Sequence, residues 1–399
     1  MTKEHEAVIL SAVRTPIGKF QGALSNVPAA QLGAIAVKAA VERAKIDPRE
    51  IEEIIMGNVV QAGGGQAPAR QAGIFGGIPA TVSATTINKV CGSGLKAAMI
   101  SAQAIRAGDA DLFVAGGFES MSRAPYLVSG RMGELKFGNT QMTDALLNDG
   151  LWDPFENWGM GNAAEFIADE YEVTREAMDQ FALRSHERAV SAQETGKFRA
   201  EIVPVPIPGR KGEVSVVSTD EGPRRDTTLE SLAKLKPAFK PDGKVTAGNA
   251  SSMNDGAAAL VIASRSYTEK NRLAPLARIV GYAQAALEPK FLFAAPAHAI
   301  PKLLRKVGWT LDDVDLIELN EAFAAQVLAD GYALTNDGWD WDKVNVNGGA
   351  IALGHPLGAS GARVLTTLLY ALKDRGLHRG IASLCLGGGE AVAMAVEVE

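Results

Sequence analysis

The chain has 399 residues, of which 47% are hydrophobic and 22% charged, and two cysteines; its formal net charge is −6. This length predicts two or three domains, the acidic balance argues against nucleic-acid binding, and no apolar run approaches the ~20 residues of a membrane span. Segment 1–6 lacks a signal-peptide pattern, and two cysteines give no disulfide framework, so we expect a reducing compartment, most simply the cytoplasm.

The first part of the chain alternates strand and helix patterns. Apolar runs predict strands at 7–13, 54–60, 82–90 and 112–115, and spaced apolar residues predict helices at 32–40, 70–75 and 95–105. Such an order implies a mainly parallel sheet with helices on both faces. This half lacks a last strand beside 112–115, and we expect residues 257–263 to supply it.

The same order of elements returns after about Pro275. Strands are predicted at 277–282, 314–319, 344–346, 381–386 and 391–398, and helices at 300–307, 323–334 and 360–373. The residues at the helix-to-strand transition of 46–54 are also similar to those of 310–317. Two similar halves would bring their ligand-binding ends to a shared crevice.

An insertion separates the missing strand from its half. We divide the chain into a first α/β half (1–121, completed by 253–274), an inserted loop domain (122–252) and a second α/β half (275–399). The insertion is predicted to hold a helix at 163–170 and another from an N-cap at Thr174 to near Gly196. Residues 209–244 carry eight basic and six acidic side chains, which indicates either a solvated loop or a surface for a phosphate-bearing ligand.

Cys91 is predicted to lie on a sharp strand-to-helix turn, Cys91-Gly92-Ser93-Gly94. Free backbone N–H groups and a helix dipole at such a turn favour a thiolate that attacks carbonyl carbon; the alternative is a small buried core residue. Three later stretches, containing Asn320, His355 and Cys385, also fall at strand ends, where open α/β sheets bind ligands. We therefore expect Cys91, His355 and Cys385 to converge.

These residue types suit carbon–carbon bond exchange at a thioester. A thiolate activated by imidazole takes an acyl group from one thioester to form another. A second thiol, with a suitably lowered pKa, then removes a proton from the carbon next to a carbonyl. The oxyanions formed need fixed donors such as glycine-turn N–H groups, an imidazole or an amide.

Six motifs together resemble the thiolase family over essentially the whole chain. They are Asn88-Lys89-Val90-Cys91-Gly92-Ser93-Gly94, Ala115-Gly116-Gly117-Phe118-Glu119-Ser120-Met121-Ser122, Ala247-Gly248-Asn249-Ala250-Ser251, Asn320-Glu321-Ala322-Phe323, Gly354-His355-Pro356 and Cys385-Leu386-Gly387-Gly388-Gly389. The resemblance implies two βαβαβαββ halves in five αβαβα layers with an inserted loop domain that binds coenzyme A. It also implies a homodimer or homotetramer.

The implied activity is acyl transfer: reversible Claisen condensation of two acetyl-CoA molecules, or thiolytic cleavage of 3-ketoacyl-CoA. By resemblance, Cys91 is the nucleophile, and His355 activates it and helps to bind an oxyanion. Cys385 is similar to the acid/base thiol, and Asn320 to the amide that holds an oxyanion-hole water. The backbone N–H groups of Cys91 and Gly387 would form a second oxyanion hole.

The resemblance also implies contacts to coenzyme A, which is a substrate and product rather than a cofactor. Ser251 would contact the pantetheine arm, and Arg224 and Ser231 would lie near the adenosine end. The implied walls of the acyl-pantetheine tunnel are Met160, Phe239, Ala250, Ala322 and Phe323. No metal-ligand spacing is present, so we expect neither a cofactor nor a metal.

Departures from the family pattern leave acyl chain length open, and a 3-ketoacyl-CoA thiolase of broader range is an alternative. Gly159-Met160-Gly161 stands where many relatives read His-Met-Gly, and Ser252 stands where glycine is common. We interpret His186, His298 and His378 as structural or solvated.

Two other classes of protein are alternative interpretations of the same residues. Residues 92–97 satisfy G-x-G-x-x-A after a strand, which would suggest a dinucleotide-binding oxidoreductase, but Asp109 and Asp111 precede the next strand, whereas the ribose-binding acid should end it. A non-catalytic acyl-CoA-binding subunit is disfavoured because Cys91, His355 and Cys385 are all intact.

Overall fold

The computed structural model describes residues 5–130, 135, 137–209 and 213–399. The strands in this part of the chain are β1 (Ala7–Arg14), β2 (Gly18–Lys19), β3 (Glu53–Gly57), β4 (Ser83–Ile87), β5 (Leu112–Ser120), β6 (Tyr126–Leu127), β7 (Thr143–Asp144), β8 (Trp152–Asp153), β9 (Trp158–Gly159), β10 (Val205–Pro208), β11 (Val214–Val217), β12 (Asn254–Ser264), β13 (Ala277–Ala286), β14 (Leu316–Leu319), β15 (Arg379–Leu386) and β16 (Glu390–Val398).

The α-helices of the same residues lie between strands, singly or in runs of two or three. They are α1 (Ala29–Ala44), α2 (Pro68–Phe75), α3 (Ser93–Ala107), α4 (Met160–Glu170), α5 (Arg175–Glu194), α6 (Leu229–Ala233), α7 (Arg265–Asn271), α8 (Pro296–Val307), α9 (Ala324–Ala333), α10 (Ala350–Leu353) and α11 (Leu357–Arg375). None of the described helices combines the length and the apolar character needed to cross a membrane.

The long strands form one hydrogen-bonded sheet in the order β14-β15-β16-β13-β1-β12-β5-β3-β4. Only the pairs β3–β4, β3–β5 and β14–β15 of this order are parallel. The expectation of a mainly parallel sheet is therefore wrong. In the second half the physical reason is plain: a tight turn of glycines joins β15 to β16, and strands joined so closely must run antiparallel.

The helices lie in three layers, one on the outside of each half of the sheet and one between the two halves. Helices α1 and α2 pack on the outside of the first half, and α8 and α9 on the outside of the second. Helices α3 and α11 pack against each other and against strands of both halves, inside one continuous apolar core. The predicted five-layer arrangement of two similar halves is confirmed.

Strand β12 pairs antiparallel with β5, as expected for the missing strand of the first half. The third strand predicted for the second half, 344–346, is present only as an isolated β-bridge between Val344 and Ile317. Helices α4 and α5, from the insertion, pack on α9 of the second half, and Thr174 caps α5 by accepting from Ala177 N.

A buried ion cluster joins the first strand to the insertion. The guanidinium of Arg14, which is completely buried on β1, lies 2.6 Å from Glu201 and 2.7 Å from Asp220. It also stacks on the ring of Phe198 at 5.0 Å. Since Asp220 additionally accepts from Ile17 N, this cluster fixes the path of the chain that leads to Gly222 and Arg224.

Candidate active site

The strand that leads to Cys91 is shorter than the predicted strand at 82–90, and a tight turn follows it. Strand β4 ends at Ile87, and Val90 has φ +45°, a left-handed conformation that is strained for a β-branched residue. Hydrogen bonds hold it: Asn88 Oδ1 accepts from Val90 N at 2.9 Å, and Ser93 Oγ donates to Val90 O at 2.6 Å. Helix α3 begins at once, at Ser93.

Most of the predicted site residues line one cavity of about 560 Å³. Its walls are largely apolar, and Cys91, His355 and Cys385 all border it. The other predicted residues along it are Gly387, Ser251, Arg224, Met160, Phe239, Ala250, Ala322 and Phe323. Three groups that are distant in sequence therefore share one pocket with apolar walls.

The His355 imidazole is held from behind by the first turn of α11. Ser360 Oγ lies 2.6 Å from His355 Nδ1 and 2.8 Å from the carbonyl oxygen of Pro356. A carbonyl only accepts, so Ser360 donates to Pro356 and accepts from Nδ1–H, which leaves the lone pair on Nε2. No described protein atom is a hydrogen-bond partner of the buried Nε2, which is therefore available to a ligand or a thiol.

Cys91 and His355 are both neutral in the resting cavity. Burial raises the pKa of the Cys91 thiol to about 12, against the lowering effect of the Cys91 and Gly387 backbone N–H groups. Burial, with the Arg363 charge, lowers the pKa of His355 to about 3. The expected resting thiolate is thus wrong, because desolvation outweighs the donors of the turn. The same contacts bring the Cys91 and Gly387 amides to the reacting sulfur.

Cys385 lies at the end of β15 and is almost completely buried. Burial raises the pKa of its thiol well above the usual value, and the proximity of Cys91 raises it further. The lowered pKa expected of this thiol is therefore wrong, because desolvation dominates. A thiol with a raised pKa is a weak acid, and its thiolate, once formed, is a strong base for proton removal from carbon.

Two predicted residues lie outside the cavity lining. Asn320 is buried behind His355, with Nδ2 3.5 Å from Nδ1 and Oδ1 3.4 Å from an Arg363 nitrogen. Ser231 is exposed in a capping box on α6, where its hydroxyl donates to the carbonyl of Thr228. Its hydroxyl is therefore committed to the helix.

Sequence reasoning missed the residues that orient His355. Ser360 follows the histidine by five positions, and a serine in the first turn of the next helix was the only available signal. Asn254 accepts from His355 N at 3.0 Å and donates to the carbonyl of Gly18 at 2.8 Å. Its partners are 101 and 236 residues away, so no local pattern marks it.

His186 is structural rather than solvated, which is one of the two alternatives expected of it. It is buried on α5, borders the cavity, and accepts from Arg224 N through Nδ1 at 3.2 Å. Burial, together with the Arg224 charge, lowers the pKa of His186 to about 4, so the ring remains a neutral acceptor. His186 therefore anchors the backbone that carries Arg224.

The basic stretch of the insertion is mostly paired within the described residues. Arg225 pairs with Glu194, Lys234 with Glu230, and both Lys240 and Lys244 with Asp169, while Arg210 and Lys211 lie outside those residues. Arg224 instead borders the cavity. Across the described ranges, no group of three or more histidine, cysteine or acidic residues is arranged to hold a metal ion.

Comparison with known proteins identifies the class to which this fold and site correspond. The family models "Thiolase, N-terminal domain" and "Thiolase, C-terminal domain" match residues 7–266 and 273–398. The chain belongs to the thiolase family. The match to thiolase models over both parts of the chain disfavours the interpretation of 92–97 as a dinucleotide-binding motif.

Individual relatives match along nearly the whole chain. An acetyl-CoA acetyltransferase of Cupriavidus necator is 53% identical over 98% of this chain and 99% of its own. One of Pseudomonas aeruginosa is 52% identical over 98% of each. The crystal structure of the Bacillus anthracis acetyl-CoA acetyltransferase superposes with a TM-score of 0.96 at 45% identity, covering 99% of both chains.

Proposed function

We propose that this chain is an acetyl-CoA acetyltransferase that condenses two acetyl-CoA molecules to acetoacetyl-CoA and coenzyme A, and that it catalyses the reverse thiolysis. The observation that carries the proposal is the meeting of Cys91, His355 and Cys385 at one apolar cavity. Relatives of that name at about half identity over the full chain support the substrate. They favour acetyl transfer over a broader 3-ketoacyl-CoA range.

The first half-reaction loads Cys91. His355 Nε2 takes the thiol proton as the sulfur attacks the thioester carbonyl of acetyl-CoA, so neither group is charged before the bond forms. The carbonyl oxygen takes the π electrons and is stabilised by the N–H groups of Cys91 and Gly387. The intermediate collapses, the bond to the coenzyme A sulfur breaks, and Cys385 gives its proton to that sulfur. Cys385 is left as a thiolate and His355 as an imidazolium.

The second half-reaction forms the carbon–carbon bond. Cys385, now a thiolate, removes a proton from the methyl group of a second acetyl-CoA, and the enolate carbon attacks the acetyl carbonyl on Cys91. The bond from that carbonyl to the Cys91 sulfur breaks, and His355 returns a proton to the sulfur. His355 and a water held by Asn320 would stabilise the enolate oxygen. As an imidazolium, His355 carries the former Cys91 proton on Nε2 and donates it to this oxygen, while Nδ1–H stays bound to Ser360.

Several expectations from the sequence remain part of this proposal. Ser251 and the apolar wall would hold the pantetheine arm, with Arg224 toward the adenosine end and Ser231 outside the cavity. The domain division, the homodimer or homotetramer, the cytoplasmic location and the absence of a cofactor stay predictions. Mass measurement in solution tests the assembly.

Radiolabelled acetyl-CoA and two variants test the reaction. The wild type is expected to acquire label on Cys91 and to cleave acetoacetyl-CoA in the presence of coenzyme A. Cys91→Ser should lose both activities. Cys385→Ala should still take up label but fail to exchange the α-protons of acetyl-CoA with solvent. Absence of label on the wild-type protein, or normal exchange by Cys385→Ala, would contradict the assignment.

A thiolysis assay over a series of 3-ketoacyl-CoA chain lengths tests the substrate. We expect kcat/KM to be highest for acetoacetyl-CoA. A maximum at six carbons or more would instead support the broader thiolase.

A further inference from the structure

Glu119 is a buried carboxylate that the proposed reaction does not use. It lies near the end of β5 and is 1% exposed. Its oxygens accept from Val59 N at 3.0 Å, Val60 N at 3.2 Å, Asn58 Nδ2 at 2.8 Å and Gly358 N at 2.9 Å. A buried carboxylate needs such donors to offset its lost hydration, so these contacts fix the side chain firmly.

The donors belong to two different walls of the active site. Val59 is part of the small apolar cluster against which Cys91 packs, together with Leu357. Gly358 lies in the first turn of α11, the same turn that holds His355 through Ser360. One carboxylate therefore connects the wall beside the nucleophile with the support behind the base.

Backbone contacts at this junction leave no space for adjustment. A Cβ atom on Gly117 would lie 1.9 Å from the carbonyl oxygen of Gly358, and one on Gly358 would lie 2.7 Å from the carbonyl oxygen of Phe118. The first turn of α11 thus rests directly on the backbone of β5. In so close a contact, the hydrogen bonds of Glu119 decide how the two surfaces are aligned.

We propose that Glu119 is a positioning residue that holds the 58–60 loop and the first turn of α11 in register, so that the Cys91 thiol and the His355 imidazole stay within reach of each other. The inference rests on the proposed function, because it assumes that these two groups react as a pair. It assigns Glu119 no contact with substrate.

Alkylation of Cys91 by iodoacetamide tests the proposal without any acyl-CoA. In Glu119→Gln, an amide NH₂ replaces one acceptor oxygen and faces a backbone donor. We expect Cys91 alkylation to slow about tenfold at neutral pH, equivalent to about 1.4 kcal/mol of activation free energy. In a separate thiolysis assay with acetoacetyl-CoA, the KM for coenzyme A should change less than twofold, since the pantetheine wall is not touched.

Glu165→Gln is the matched control. Glu165 is also buried, and it accepts from Lys244 N and Val245 N between 2.8 and 3.0 Å, but it joins no part of the Cys91–His355 pair. We expect its alkylation rate to equal that of the wild type. Equal slowing in both variants would mean a general loss of stability and would overturn the proposal.

Further outcomes separate this inference from the proposed function. A wild-type alkylation rate in Glu119→Gln, in an enzyme that forms acetyl-Cys91 normally, overturns the positioning role alone. A wild type that forms no acetyl-Cys91 overturns the proposed function. If Glu119→Gln does not fold, Glu119→Asp is measured in the same way, and alkylation of that variant at the wild-type rate overturns the role.

Discussion

The Ser360 hydroxyl determines which nitrogen of the His355 imidazole carries the proton. Ser360→Ala removes the acceptor of His355 Nδ1–H while leaving the helix intact. We expect acetyl-enzyme formation to slow about tenfold, because the imidazole becomes charged in this step and loses roughly one good hydrogen bond. Rapid-quench measurement of acetyl-Cys91 checks this.

The control for Ser360→Ala is Thr366→Ala on the same helix. Thr366 is equally buried, and its hydroxyl donates only to the carbonyl of Ala362, so acetylation should proceed at the wild-type rate. If both variants slow alike, the effect belongs to α11 and not to the orientation of His355.

His186 predicts a pH dependence of stability. Its pKa is about 4 when folded and about 6.5 when unfolded, so only the unfolded chain binds the proton between these values and stability falls as the pH falls below 6.5. Between pH 7.5 and 5.5 this loss is about 1.4 kcal/mol. His186→Asn, measured by denaturant unfolding at both pH values, should remove that part of the wild-type loss.

His298→Asn is the control for this measurement because His298 is exposed on α8. It should keep the wild-type dependence on pH. An unchanged dependence in His186→Asn would show that this ring is not a neutral acceptor in the folded protein.

At the scale of elements, α3 and α11 meet backbone to backbone. A Cβ atom on Gly361 would lie 2.2 Å from the backbone nitrogen of Leu95. Alanine in a helix gains up to about 1 kcal/mol over glycine, but this clash cannot relax through a flexible side chain. We expect Gly361→Ala to lose about 1–3 kcal/mol in the free energy of unfolding.

Gly159→Ala is the comparison for stability. The added Cβ would meet its nearest atoms at 3.6 and 3.9 Å, which is ordinary contact. We expect a change within about 0.5 kcal/mol, measured by the same denaturant unfolding. A similar loss in both variants would contradict the idea that the α3–α11 contact is the cause.

The elements themselves were largely predictable, since apolar periodicity and glycine turns are local signals. The end of β4 was not, because Val90 has the β-branched side chain of a strand residue but a left-handed backbone imposed by Asn88 and Ser93. Cys91, His355 and Cys385 were found because each sits in a glycine-rich motif. Glu119 acts through partners about 60 and 239 residues away, which no local spacing reveals.

At the scale of the whole molecule, the Arg14 cluster joins β1 to the insertion. Arg14→Met leaves Glu201 and Asp220 buried without their cation, so we expect a loss of about 3–5 kcal/mol in unfolding free energy. The triple variant Arg14→Met, Glu201→Gln, Asp220→Asn should recover part of it, because no uncompensated charge remains. A single variant as stable as the wild type would show that the cluster does not hold the insertion.

The pairing of β1 has a consequence for how the protein is made. Both neighbours of this first strand, β12 and β13, come from beyond residue 253. At about 5–20 residues per second, a ribosome needs roughly 10–50 s to produce them, and during that time an apolar strand of the nascent chain has no native partner. The first strand therefore cannot pair natively until β12 has been made, and chaperone capture of the growing chain would protect it during that time.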